Sequence, residues 1–281
     1  MGARPQGHFV TLNDGLRLHY VELESEQGAG QGEPVVFIHG SGPGASGHSN
    51  FKQNYPQFAA AGYRVIVPDL PGYGVSDKPE TTYSLDFFVA ALVGLLDALD
   101  IQRCVLVGNS LGGAIALKLA LDQPQRVAKL VLMAPGGLME KEQYYLQMEG
   151  IQQMGAAFAA GELNDAAGMR RLLSLQLFDP ALISDETVAE RVAVVQQQPR
   201  CVLSSMQVPN LASRLGELQC PILGFWGIND KFCPASGAQT MLEACRNIRF
   251  VMLSECGHWV MVEHRELFNR QCLDFLAEGR S

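Results

Sequence analysis

None of the seven cysteines in this 281-residue chain forms a C-x-x-C pair, and their number is odd. The scattered positions Cys104, Cys201, Cys220, Cys233, Cys245, Cys256 and Cys272 suggest neither a zinc knuckle nor a disulfide framework, and fit reduced thiols in the cytoplasm. Positive charge is also scarce: 21 Lys and Arg against 29 Asp and Glu leave a formal charge of −8. A chain this acidic lacks the footprint for nucleic acid or an anionic lipid surface, so any anionic ligand must be held by local groups. The longest apolar run, Phe87 to Leu96, is too short to cross a bilayer. The first eight residues hold no apolar h-region, so secretion is not expected either.

What is present is ordinary folding material, 47% hydrophobic and 18% charged. His8 to Leu12 and Leu16 to Glu22 flank Asn13-Asp14-Gly15, a hairpin signal. Gln27 to Glu33 has no apolar period and reads as a solvated connection. Val35 to Ile38 is a continuous apolar run, as expected of a strand covered on both faces, and Arg64 to Val67, Cys104 to Val107 and Lys129 to Met133 repeat it. Helical segments lie between these runs. Ser84 is placed to cap one that carries Phe88, Leu92, Leu95 and Leu99, and Gly113 to Leu121 forms another. Such alternation gives a parallel sheet with helices on both faces.

After Pro135-Gly136-Gly137 the alternation stops, and Glu140 to Val208 shows helical periods without a strand. It resumes with a strand at Pro221 to Trp226, a helix from Ala235, a strand at Ile248 to Leu253 and a last helix from Arg265. The expected organisation is therefore an α/β core, residues 1–135 and 209–281, interrupted by a helical cap at 136–208.

Gly108-Asn109-Ser110-Leu111-Gly112 is a G-x-S-x-G set between a strand and a helix. In that context a tight turn lifts the serine hydroxyl beyond the sheet edge, and the following helix aims its amides at the same spot. Asp230 and His258 each fall just after a later strand, at the edge where open α/β sheets place their sites. The order Ser110, Asp230, His258 is nucleophile, acid, base: His258 takes the serine proton and Asp230 orients the imidazole. The other histidines fit less well. His8 and His19 belong to the hairpin, His264 reads as solvated, His48 shows no carboxylate partner, and His39 reads as a loop-holding residue.

His39-Gly40-Ser41-Gly42-Pro43-Gly44 follows another strand and lacks the lysine of a phosphate loop. Its main-chain amides, Gly42 in particular, are expected to form an oxyanion hole with the amide of Leu111, each donor worth about 3 kcal/mol.

Together with Ala45, Ser49-Asn50 and Cys256-Gly257-His258-Trp259, these segments resemble the α/β-hydrolase fold and, within it, the meta-cleavage product hydrolases. The resemblance covers nearly the whole chain. It implies a mostly parallel eight-stranded sheet with an inserted helical cap. The implied activity is cofactor-free and metal-free hydrolysis of a carbon–carbon bond in 2-hydroxy-6-oxo-hexa-2,4-dienoates, formed by ring fission of catechols. The implied partner is thus a small anionic dienoate, and a homo-oligomer is left open. By the same resemblance Arg191 grips the substrate carboxylate, and Ser41, Asn50 and Asn109 line the dienoate pocket. Phe232 and Trp259 form apolar walls, and Cys256 is a small buried wall residue. Arg191 has Thr187, Val188, Val194 and Val195 one turn away, so it has no acidic partner on its own face. One departure stands out. Gln176 occupies the place of a cap phenylalanine facing the non-polar end of the substrate, with Phe178 nearby, which implies a more polar acyl pocket. A carboxylesterase or lactonase using the same three residues is the alternative.

Overall fold

The computed structural model describes residues 6–24 and 32–278; most of the Gln27 to Glu33 connection lies outside them. Its strands are β1 (His8–Thr11), β2 (Arg17–Leu23), β3 (Val35–Ile38), β4 (Val65–Pro68), β5 (Cys104–Asn109), β6 (Val127–Met133), β7 (Ile222–Gly227) and β8 (Ile248–Leu253). They form one eight-stranded sheet in the order β1-β2-β4-β3-β5-β6-β7-β8. Strand β2 runs antiparallel to β1 and β4, and the remaining neighbours are parallel.

The continuous apolar strands follow from burial on both faces. Val35 and Phe37 pack on one side with Phe51, Phe58, Phe268 and Phe275. Val36 and Ile38 pack on the other with Phe88, Leu92, Leu95 and Ile115. Helices α1 (Gly47–Phe51), α2 (Tyr55–Ala60), α3 (Leu85–Ala98) and α4 (Leu111–Asp122) provide the partners from Phe51 to Ile115, and the last helix provides Phe268 and Phe275. Ser84 caps α3 as expected, its hydroxyl accepting from the Phe87 amide at 3.1 Å. Helix α4 starts two residues before the expected Gly113. Helices α1 and α2 add to the expected elements, in a stretch where Gly47, Ser49, Asn50 and Pro56 give little helical signal. Every residue of α1 is buried, and tertiary packing outweighs weak propensity there.

Between β6 and β7 the chain adds five α-helices and no strand: α5 (Lys141–Gln147), α6 (Glu149–Ala160), α7 (Ala166–Gln176), α8 (Asp185–Val195) and α9 (Cys201–Ser204). The core then closes with α10 (Ser236–Ala244), α11 (Val260–Glu263) and α12 (Arg265–Ala277). Phe268, Cys272, Phe275 and Leu276 form the expected buried stripe of α12. No helix among the described residues is long and apolar enough to cross a membrane.

Candidate active site

Ser110 joins β5 to α4 with φ 54° and ψ −114°. That conformation costs a non-glycine residue about 1–3 kcal/mol and persists because its surroundings enforce it. The Ser110 amide donates to the Met133 carbonyl, and its own carbonyl accepts from Ala114 and Gly136. The two flanking glycines allow the turn to close. A Cβ on Gly108 would lie 2.4 Å from the Gly112 carbonyl oxygen, and one on Gly112 only 2.0 Å from that of Ile38. Both contacts are with main chain, which cannot rotate away. Gly112→Ala is therefore expected to lower stability by about 3 kcal/mol, read as a lower urea midpoint at an unchanged slope.

Asp230 follows β7, and its carboxylate is withdrawn from solvent. One oxygen accepts from the amides of Phe232 (2.7 Å) and Cys233 (3.0 Å), while the other lies 2.7 Å from His258 Nδ1. With Nδ1 held by a carboxylate, Nε2 faces the cavity as the basic nitrogen. The loop carrying His258 is anchored to the β6–β7 insertion. His258 donates its amide to the Gln176 carbonyl at 2.7 Å. The Glu263 carboxylate accepts from Gly257 on one side and from Phe178 and Asp179 on the other.

Ser110 and His258 line the same cavity, but among the described residues no hydrogen bond joins their side chains. The Ser110 hydroxyl instead contacts the Cys233 thiol, which burial pushes well above its ordinary range and keeps neutral. Hydrogen bonds between nucleophile and base are often loose before substrate binds, and one χ1 rotation redirects the hydroxyl.

Two compartments meet at Ser110. The smaller, about 20 Å³, is polar and is bounded by Gly42, Asn50, Asn109, Gln176, Arg191 and Trp259. The larger, about 140 Å³, is apolar, with Tyr144, Ile151, Met154, Met206, Val208 and Phe232 among its walls. Ser41, Ile151, Met154 and Phe232 border both, and Leu111 borders the larger. Leu111 is the first residue of α4, so its amide has no intrahelical acceptor. The smaller compartment holds little more than one water-sized group.

Arg191 is 1% exposed and reaches in from α8. It donates to Asn50 Oδ1 at 2.6 Å and to the Pro43 carbonyl at 3.3 Å, and its guanidinium carbon lies 4.9 Å from the centre of the Trp259 ring. Among the described residues no carboxylate pairs with it. Glu190 turns away to Lys52 and His48. Burial pushes the Arg191 guanidinium down to about 10, so it remains a cation at neutral pH. A desolvated charge without a counter-ion is costly unless a ligand supplies one.

Several expectations need correction. His48 does have a carboxylate neighbour, Glu190 at 3.7 Å, and its other ring nitrogen lies 2.9 Å from Tyr55 Oη. His264 is half-buried, with Nε2 enclosed and unpartnered, and is not solvated. Cys256 packs behind the His258 loop, its sulfur 3.7 Å from Glu263, and walls neither compartment. Gln176 borders the smaller compartment beside Arg191, which Ile151, Met154 and Phe232 also line, while Phe178 is 48% exposed. His39 holds its loop as expected, through the Gly40 carbonyl and the Leu70 amide. The sequence reading missed Tyr144, Ile151, Met154 and Cys233, whose only signal was helical period or proximity to Asp230.

Residues 33–265 match the α/β hydrolase fold family. The chain is 40% identical to a 2-hydroxy-6-oxo-6-phenylhexa-2,4-dienoate hydrolase of Burkholderia cepacia, over 96% of each chain. It is 39% identical to a 2-hydroxy-6-oxononadienedioate/2-hydroxy-6-oxononatrienedioate hydrolase of Comamonas testosteroni, again over 96% of each. Among solved structures, a meta-cleavage product hydrolase from Pseudomonas fluorescens superimposes with a TM-score of 0.83 at 29% identity, covering 98% of both chains.

Proposed function

Because the chain belongs to the α/β-hydrolase fold family, and within it to the meta-cleavage product hydrolases, we propose that it hydrolyses a carbon–carbon bond in 2-hydroxy-6-oxo-hexa-2,4-dienoates during the breakdown of aromatic compounds. The observation that carries this reading is the buried, carboxylate-free guanidinium of Arg191 in a cavity shared with Ser110. An ester or lactone hydrolase has no use for such a cation; a substrate with an acid tail does.

In this reading His258 acts at each stage. It first moves a proton onto C5 of the bound dienol, and the dienoate becomes its keto form. It then takes the proton of Ser110 as Oγ attacks the C6 carbonyl. The Gly42 and Leu111 amides receive the oxyanion, and Asp230 stabilises the imidazolium. Collapse breaks the C5–C6 bond, with the electron pair leaving as a dienolate conjugated to the C1 acid and the acyl group left on Ser110; water activated by His258 then releases that group as a carboxylic acid and restores the serine. Arg191, Asn50 and Asn109 hold that end, assisted by Ser41, while Phe232 and Trp259 wall it. Residues 136–208 serve as the cap over a core of 1–135 and 209–281. The seven unpaired thiols suit a reducing cytoplasm.

The test is bleaching of a panel of yellow ring-fission products. Substrates with an aryl or alkyl group on C6 are expected to be turned over about tenfold faster, by kcat/KM, than one ending in a second carboxylate, because that acyl group must desolvate among Tyr144, Ile151, Met154 and Met206. Brisk ester hydrolysis with no bleaching at all would replace this reading with the carboxylesterase one.

A further inference from the structure

Gln176 is 3% exposed at the end of α7, its backbone fixed by the hydrogen bond from His258. Its side-chain oxygen Oε1 is buried without a hydrogen-bond partner, and so is Asn109 Oδ1 in the same cavity. Its nitrogen Nε2 lies 3.7 Å, and Arg191 Nη1 3.1 Å, from the point where a Cβ on Gly42 would sit. A guanidinium and a carboxamide thus flank the space that glycine leaves free.

These orphan atoms constrain the ligand. A buried acceptor without a donor carries its full desolvation cost, and natural sites seldom leave one so. A carboxylate satisfies Arg191 but offers no donor to an amide oxygen, and neither does a neutral ester. A hydroxyl next to the acid group supplies such a donor, and an amide side chain can rotate to present its oxygen to it. We propose that Gln176 is a specificity-determining residue that accepts a hydrogen bond from the C2 hydroxyl of the dienol while Arg191 holds the adjacent carboxylate. This assignment rests on the dienoate reading above and goes beyond it by giving the hydroxyl its own acceptor. A phenylalanine at this position has no atom able to do so.

The assignment is tested by binding in a Ser110→Ala background, where ligands accumulate without turnover, using quenching of Trp259 fluorescence. The two probes are 2-hydroxy-6-oxo-6-phenylhexa-2,4-dienoate and its analogue lacking the C2 hydroxyl. The Ser110→Ala protein is expected to prefer the hydroxylated ligand by about tenfold, and adding Gln176→Met is expected to reduce that preference to about twofold. Gln176→Glu retains an acceptor and so retains the preference, while both ligands bind more weakly beside a second acid. Equal weakening of both ligands by Gln176→Met would mark a merely structural residue and overturn the assignment. An undiminished preference would overturn it as well, by placing the hydroxyl elsewhere. If the methionine variant fails to fold, loss of the preference in Gln176→Glu overturns it instead. A native protein that bleaches no dienoate and binds neither probe sinks the dienoate reading and this assignment together. Bleaching by the native protein with an unchanged preference in Gln176→Met sinks the assignment alone.

Discussion

Arg191→Ala is expected to lower kcat/KM for a 2-hydroxy-6-oxo-dienoate by on the order of a thousandfold, about 4 kcal/mol, the scale for removing one partner of a buried charge pair. Hydrolysis of a neutral aryl ester by the same variant should fall by less than about tenfold, since the ester brings no charge to be left unpaired. The asymmetry is the informative quantity. Arg191 stacks on Trp259 and bonds to Asn50 and the Pro43 carbonyl, so its removal also disturbs packing, but that disturbance affects both substrates. Steady-state kinetics with a yellow dienoate and a p-nitrophenyl ester measure the ratio directly. Equal losses on the two substrates would remove the reason for assigning the protein to carbon–carbon cleavage.

Ser110→Ala is expected to abolish turnover of dienoate and ester alike, by about 10⁴-fold or more, with binding retained. The residual rate comes from the polarising amides and from binding alone. Removing the hydroxyl also takes the partner of the Cys233 thiol, and that thiol is held neutral, so it offers no substitute nucleophile at neutral pH. Stopped-flow absorbance reports both results: the spectrum of the bound dienoate appears and then persists. Continued bleaching at a tenth of the native rate would exclude Ser110 as the nucleophile.

The central strands were legible because their physics is local. Val35 to Ile38 is apolar at every position since both faces are covered, and its bounds match the expectation. Ser110, Asp230 and His258 could be placed because each follows a strand, so strand order alone brings Asp230 and His258 together, at 2.7 Å. The start of α4 was misplaced because Gly112 and Gly113 are poor helix formers. Their lack of a side chain is spent on close approach to Ile38 and Pro135. The apolar compartment could not be read, for its walls come from separate helices whose rotation about their axes is set only when they pack. Gln176 shows the same limit. The resemblance placed it in the cap facing the substrate, but only the packing of α7 decides which side chains it meets. His48 could not be paired with Glu190 for a similar reason, as the two meet only where α1 crosses α8.

His258 takes its amide anchor from the Gln176 carbonyl, and Glu263 ties the same loop to Phe178 and Asp179. The imidazole is thus tied by main-chain hydrogen bonds to the helical insertion as well as to the Asp230 carboxylate. Any displacement of residues 176–179 is therefore transmitted to the loop that carries the base.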